Sequence, residues 1–220
     1  MTAVVSSLLA DVHRLMPAGA EVAARDPALR YDVTLAEAAL IQNAVDKRQR
    51  EFSAGRDAAR ACLMALGVRG AEIRASQNRA PIWPQGTTGS ITHCDGLCLA
   101  AVARTDKIAA LGLDAEPNAP LPPDMLPIVL REDETKAFAN RGRLIFSAKE
   151  AVYKCLSPFL DRILEFHDLQ LRLGAEGALT ARLMASSGRL NAGHKMQVHY
   201  VERPDHIITA CWMKAGELPC

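Results

Sequence analysis

With 220 residues and 49% hydrophobic side chains, the chain can bury a proper core, either as one large domain or as two small ones. Its 26 basic and 25 acidic residues are interspersed and give a net charge of +1. That excludes long disordered charge runs and any global field drawing the chain to nucleic acid or a membrane surface. The six cysteines include no CxxC pair, so neither a zinc site nor a dense disulfide framework is expected. Cys62, Cys94, Cys98, Cys155, Cys211 and Cys220 read as reduced thiols. No stretch is apolar for long enough to span a bilayer, and the N-terminus lacks the basic and apolar blocks of a signal peptide. A cytoplasmic, monomeric protein is the expectation.

Val4, Val5, Leu8, Leu9, Val12 and Leu15 have helical spacing, and Pro17 and Gly19 end the pattern. A short strand is expected over 20–24. Thr34 and Glu37 form a capping-box signature before a helix over 35–45. A second helix runs over 47–66 and stops at Gly67. It carries Arg48, Arg56 and Arg60 close to one face. Aligned guanidinium forks match phosphate oxygens, but from the pattern alone a solvated basic face with Glu51 and Asp57 as neighbours is preferred.

The prolines of 78–84 predict a rigid extended loop. A hairpin follows, 90–94 and 97–103, turning at Asp95-Gly96 and carrying Thr92 and His93 at the end of its first strand. A third strand, 108–116, ends in Asp114-Ala115-Glu116, with both carboxylates on one face. They suit either a hard cation or a strand end fraying into solvent. Residues 119–127 read as a proline-rich loop, and 131–139 as an exposed charged helix. A helix over 145–160, broken near Pro158, takes Ser147 as N-cap and Glu150 as its capping-box partner. Glu150 and Lys154 then share a face, either as an i,i+4 ion pair or as two groups aimed at one substrate. Four strands, 169–173, 178–185, 196–201 and 207–213, predict an antiparallel meander.

The wording and order of four segments resemble the 4'-phosphopantetheinyl transferases, in the larger single-chain class typified by the surfactin- and enterobactin-activating enzymes. They are GRDAARACLMALG (55–67), PIWPQGTTGSITHC (81–94), LGLDAEP (111–117) and FSAKEAVYKCL (146–156). The resemblance implies an α+β fold of two similar subdomains, 1–106 and 107–220, with the active site in the cleft between them. It implies transfer of the 4'-phosphopantetheine arm of coenzyme A to a serine of a carrier protein, releasing adenosine 3',5'-bisphosphate. Mg²⁺, or Mn²⁺, would assist. Carried over residue by residue, Asp114, Glu116 and Glu150 are implied as cation ligands, with Glu150 also a candidate general base. Lys154 is implied at the pyrophosphate. Arg48, Arg56, Thr92, His93, Asp114, Glu150 and Lys154 are implied around coenzyme A, together with Asn78 and Arg79 in the proline loop. Asn78 departs from the family, several members of which have lysine there. The implied pathways are non-ribosomal peptide, polyketide or siderophore synthesis. The competing expectations are a metal-dependent phosphohydrolase or nuclease, and an inactive carrier-binding module; no strong basic stripe supports a nucleic-acid partner.

Overall fold

The computed structural model describes residues 3–76, 79–138, 140–174 and 178–217. Helix α1 (Ala3–Leu15) leads into strand β1 (Glu21–Arg25). Helices α2 (Leu35–Ala39) and α3 (Asp46–Ala65) follow, then the short strands β2 (Arg74–Ala75) and β3 (Pro81–Ile82). The hairpin of β4 (Thr87–Cys94) and β5 (Leu97–Arg104) precedes β6 (Ile108–Pro117). Helices α4 (Leu126–Val129), α5 (Glu132–Phe138) and α6 (Gly142–Leu156) come next. Strands β7 (Leu169–Leu173), β8 (Leu179–Leu183), β9 (Lys195–Glu202) and β10 (His206–Lys214) close the chain.

Two antiparallel sheets dominate, one ordered β1-β5-β4 and one ordered β6-β10-β9-β8-β7. The meander read from the last four runs is therefore present, and its final strand returns to pair with β6. Helix α3 packs on the first sheet through Ala58, Ala59, Cys62 and Leu63 against Ala23, Ala100 and Val102. Helix α6 packs on the second through Ile145, Ala148, Val152 and Cys155. Helix α1 and the residue after it place Leu8, Val12 and Met16 in a core shared by β5, β6 and β10.

The edge strands β4 and β6 meet side by side although they belong to separate sheets. Side chains bridge this seam. Ser90 Oγ accepts from Leu113 N at 3.0 Å, and Thr92 Oγ1 accepts from Ala115 N at 3.3 Å. Small hydroxyl residues at 90 and 92 thus satisfy backbone groups that a ladder would otherwise pair.

Glycines set how near the helices come. A Cβ on Gly112 would overlap the carbonyl oxygen of Ala151 and stand 2.7 Å from the Cys155 backbone nitrogen. A Cβ on Gly55 would stand 2.8 Å from Ile91 Cγ2. Each glycine lets a helix and a strand touch backbone to neighbour, as close crossings require.

Several expectations need correction. Ser147 is no N-cap: α6 begins at Gly142, and Ser147 is buried inside it, 2.9 Å from Thr209 Oγ1. Its hydroxyl has a cross-element partner, which outweighs the local capping pattern. The Thr34–Glu37 capping box does form, yet α2 stops at Ala39 and gives way to turns. Glu37 faces inward to Arg60 and the Ile73 N–H, which ties that turn to the core. The proline loop contains a short strand at Pro81–Ile82 pairing with Arg74–Ala75. Helix α5 is not wholly exposed: Phe138 and Glu134 are buried.

Glu134 accepts from Lys149 Nζ at 2.7 Å, with both side chains 1% exposed, and from the backbone N–H of Arg131 and Leu171. Glu134→Ala would leave the ammonium and two amides without that acceptor. The expected loss is about 3–5 kcal/mol, because an unpaired buried charge costs far more than the pair contributes. Urea denaturation measures it; a loss below about 1 kcal/mol would show the pair to be solvent-relieved.

Candidate active site

Arg48, Phe52 and Arg56 recur every four residues along α3 and so face one side. They line a cavity of about 590 Å³ with Glu51, Thr92, His93, Asp114, Lys154 and Arg79. Four segments distant in sequence therefore converge: the arginine helix, the 76–81 loop, the β4 end, and the β6–α6 pair. Leu40, Ile41, Ala44 and Phe52 supply an apolar wall.

Arg56 is 5% exposed, donates from Nε to Ile73 O at 2.9 Å, and lies over the Phe52 ring at 4.4 Å. Burial pulls its pKa down to about 10, with Glu37 opposing and Arg48 and Arg60 adding to the fall. It stays cationic at neutral pH, a desolvated charge suited to an anion. Arg48 donates to His93 Nε2 at 2.7 Å. Burial is the main cause that lowers the His93 pKa, and Arg48 and Lys154 reinforce it against Glu51 and Asp114. His93 is thus neutral at pH 7 and, accepting at Nε2, carries its proton on Nδ1.

Glu51 was not singled out by the sequence patterns. It stands 3.7 Å from Arg48 and 3.8 Å from His93, and its i,i+3 offset from Arg48 was the available signal. Arg60 turns away to Glu37 and the carbonyl of Asp32, a structural role. Arg79 lines the cavity from a turn in which its own φ is 65°, a left-handed conformation uncommon for arginine. Asn78 lies outside the described residues.

Asp114 anchors the floor. It is 4% exposed, and its Oδ1 accepts from Lys154 Nζ at 2.6 Å and Thr92 Oγ1 at 3.0 Å. Its Oδ2 is buried and, among the described residues, has no hydrogen-bond partner. Lys154 also reaches Thr92 Oγ1 and Leu113 O, each at 3.3 Å. The i,i+4 ion pair to Glu150 is therefore not what Lys154 makes; it crosses from α6 to β6. Glu150 is half-buried on the same helix face, one turn earlier. Burial raises its pKa; Lys154 opposes this and Asp114 adds to it. Glu116 lies two residues beyond Asp114 and bonds Arg143 at 2.9 Å. Burial, then Asp114, raises its pKa, and Arg143 opposes. Among the described residues, no three His, Cys, Asp or Glu side chains stand close enough together to enclose a metal ion as they lie.

Among the described residues Cys62, Cys94, Cys98, Cys155 and Cys211 are free thiols, the reduced state read from the sequence. Burial pushes Cys62, Cys94 and Cys98 up to about 12. Cys220 lies outside the described residues.

Buried Arg56, with the more exposed Arg48 and His93 and the part-buried Lys154, stands opposite the acidic end of β6, an arrangement whose chemistry suits a phosphate-bearing anion. A model of the 4'-phosphopantetheinyl transferase N-terminal domain matches residues 36–103, and that of the 4'-phosphopantetheinyl transferase superfamily matches 110–211. The chain is 41% identical over 158 residues to 4'-phosphopantetheinyl transferase Svp of Streptomyces mobaraensis, covering 67% of this chain and 64% of Svp, just under two thirds of its length. It is 38% identical to 4'-phosphopantetheinyl transferase Npt of Nocardia iowensis, over 75% of this chain and 78% of Npt. Enterobactin synthase component D of Salmonella typhi is 29% identical, over 77% of this chain and 74% of that protein. The chain belongs to the 4'-phosphopantetheinyl transferase superfamily and has an α+β fold. No helix among the described residues is long and apolar enough to cross a membrane.

Proposed function

We propose that this protein transfers the 4'-phosphopantetheine arm of coenzyme A to a serine hydroxyl of a carrier protein, leaving adenosine 3',5'-bisphosphate. The observation that carries the reading is the convergence of Arg48, Arg56, His93, Asp114 and Lys154 on one cavity. The acceptors it serves are carrier domains of non-ribosomal peptide, polyketide or siderophore synthesis, and it works as a cytoplasmic monomer. Residues 1–106 and 107–220 act as two similar subdomains, each a helix packed on a sheet, with the substrate held at the β4–β6 seam between them. The helix–sheet pairing of α3 and of α6 supports this.

Arg48 and Arg56 bind the phosphate-bearing nucleotide end, with the apolar wall of Ile41 and Phe52 beside it. His93, neutral, donates to a phosphate oxygen without adding repulsion to the arginines. Lys154 neutralises charge that grows on the leaving phosphate as the bond to the pantetheine phosphorus breaks. A neighbouring hollow of about 490 Å³, lined by Trp83, Tyr153 and Pro158, suits the uncharged pantetheine arm. The serine hydroxyl attacks the pantetheine-side phosphorus, and Glu150 takes its proton. Its raised proton affinity makes it a stronger base than an exposed glutamate.

The residues fit a divalent cation such as Mg²⁺ or Mn²⁺. Asp114 Oδ2 is a buried oxygen without a partner, and the neighbouring groups are carboxylates, the donors that hard cations take. Asp114, Glu116 and Glu150 would hold it, and when bound it supplies positive charge against the pyrophosphate oxygens. Incubating the protein with coenzyme A, Mg²⁺ and an apo carrier domain tests the reading by intact mass. A phosphopantetheine mass gain on serine is expected, lost with a chelator. Coenzyme A cleavage without tagging would favour a phosphohydrolase, and binding without either product an inactive carrier-binding module.

A further inference from the structure

Arg143 belongs to no motif noted in the sequence, yet it uses all three guanidinium nitrogens. NH1 donates to Glu116 Oε2 at 2.9 Å, Nε to Ala119 O at 3.3 Å and NH2 to Pro120 O at 3.1 Å. It projects from the first turn of α6, seven residues before Glu150, so both lie on one helix face two turns apart. Its side chain is 20% exposed and that of Glu116 18%, so the pair is largely withdrawn from water. A surface arginine of ordinary kind would not bridge the end of a strand, the chain leaving it and the start of a helix.

Around it the three carboxylates are unequally supported. Lys154 and Thr92 hold one oxygen of Asp114. Glu150 has Lys154 one turn away. Among the described residues Glu116 has Arg143 alone as its ion-pair partner. Without that guanidinium, a half-buried glutamate two residues from Asp114 would be free to rotate outward.

We infer that Arg143 is a positioning residue for the proposed cation site: it fixes Glu116 by one oxygen and so presents its carboxylate beside Asp114. Support of a ligand carboxylate by an outer hydrogen-bonding partner is a general device of metal sites. The inference rests on the reading of Asp114, Glu116 and Glu150 as cation ligands. It adds that the α6 N-terminus is tied to that site, so the helix carrying Glu150 and Lys154 and the strand carrying Asp114 are locked in register by one side chain.

The test is Mn²⁺ binding to the full chain with coenzyme A present, followed by electron paramagnetic resonance. Arg143→Gln is expected to raise the Mn²⁺ dissociation constant about 10-fold or more. Arg143→Lys, which keeps the charge but not the fork, should recover part of the loss. Coenzyme A affinity measured with a chelator present should stay within about twofold, as Arg143 does not line its cavity. At saturating metal the transfer rate should recover to within about threefold, separating positioning from catalysis. If Arg143→Gln is too unstable to assay, Arg143→Lys carries the test alone with the same direction. Unchanged or tighter Mn²⁺ binding in the folded variants would overturn the inference, the former leaving Arg143 only a loop tie and the latter making it a competitor. A parent protein that binds no Mn²⁺, or a Glu116→Gln variant that binds it as the parent does, would instead overturn the cation-site reading itself.

Discussion

Asp114→Asn is expected to fold and yet to transfer phosphopantetheine about 10³-fold more slowly than the parent, or not at all. The substitution keeps the shape of the side chain and removes its charge. Three groups depend on that charge. Lys154 is held by it at 2.6 Å, Thr92 donates to it across the β4–β6 seam, and its free Oδ2 is the buried acceptor that a cation would take. An amide can still accept from Thr92, so the seam should survive and the unfolding midpoint should move little. Glu150→Gln is expected to lose on the order of 10²–10⁴-fold by a different route, since the serine proton then has no acceptor. The two variants separate by metal dependence: added Mn²⁺ should not rescue either rate, but Mn²⁺ binding should weaken more in Asp114→Asn. In the metal-free parent, burial should keep Glu150 protonated to a higher pH than an exposed glutamate, read by NMR titration of its carboxyl; a bound cation would oppose that shift. Turnover within twofold of the parent by either variant, with Mg²⁺ present, would sink the proposed site.

Gly112→Ala should damage fold and activity together. The new methyl would collide with the Ala151 carbonyl of α6, which is backbone and cannot rotate aside. Helix α6 must therefore lift from β6, at a cost of about 1–3 kcal/mol or more. Because Glu150, Lys154 and Arg143 ride on that helix while Asp114 and Glu116 ride on the strand, a lift of about 1 Å should cost roughly 10²-fold in transfer rate even where the protein remains folded. Gly55→Ala is the matched control. Its methyl meets the end of the Ile91 side chain, which can yield, so a smaller loss of stability is expected. Denaturation midpoints for both variants, with rates taken well below them, decide the point. Equal, mild effects from the two glycines would mean that the α6–β6 crossing does not set the site.

Much of the site was legible because its residues fall in short contiguous words. Asp114-Ala115-Glu116 closes β6 just before Pro117; Asp114 lines the cavity, while Glu116 pairs with Arg143 beside it. Arg48 and Arg56 sit two turns apart on α3, and both line the cavity. The paired Thr92 and His93 end β4 as the hairpin predicted, with the register closing at Cys94 and Leu97. Arg143 was hidden by a local error. Ser147 and Glu150 have the spacing of a capping box, and the helix read from the sequence begins at 145, three residues after Gly142, so Arg143 falls outside it. Serine spacing records what a hydroxyl could do locally; it does not record that Thr209, 62 residues away, is a better partner. Glu134 was missed for the same reason, as its partner Lys149 comes from another helix.

Sequence alone determined the elements and the chemistry each can offer, because periodicity, glycine and proline stops and capping act within a few residues. It also determined the family, through ordered words carrying arginine, histidine, carboxylate and lysine. Only the tertiary structure decided who partners whom. The Glu150–Lys154 pair, four apart on one helix, was open to reading as an ion pair by distance along the chain. In the fold Lys154 leaves it for Asp114, because Gly112 brings β6 so close beneath α6 that a buried carboxylate lies within 2.6 Å of the ammonium. A charge pairs with the counter-charge that burial leaves least solvated, and burial is a property of the packed molecule.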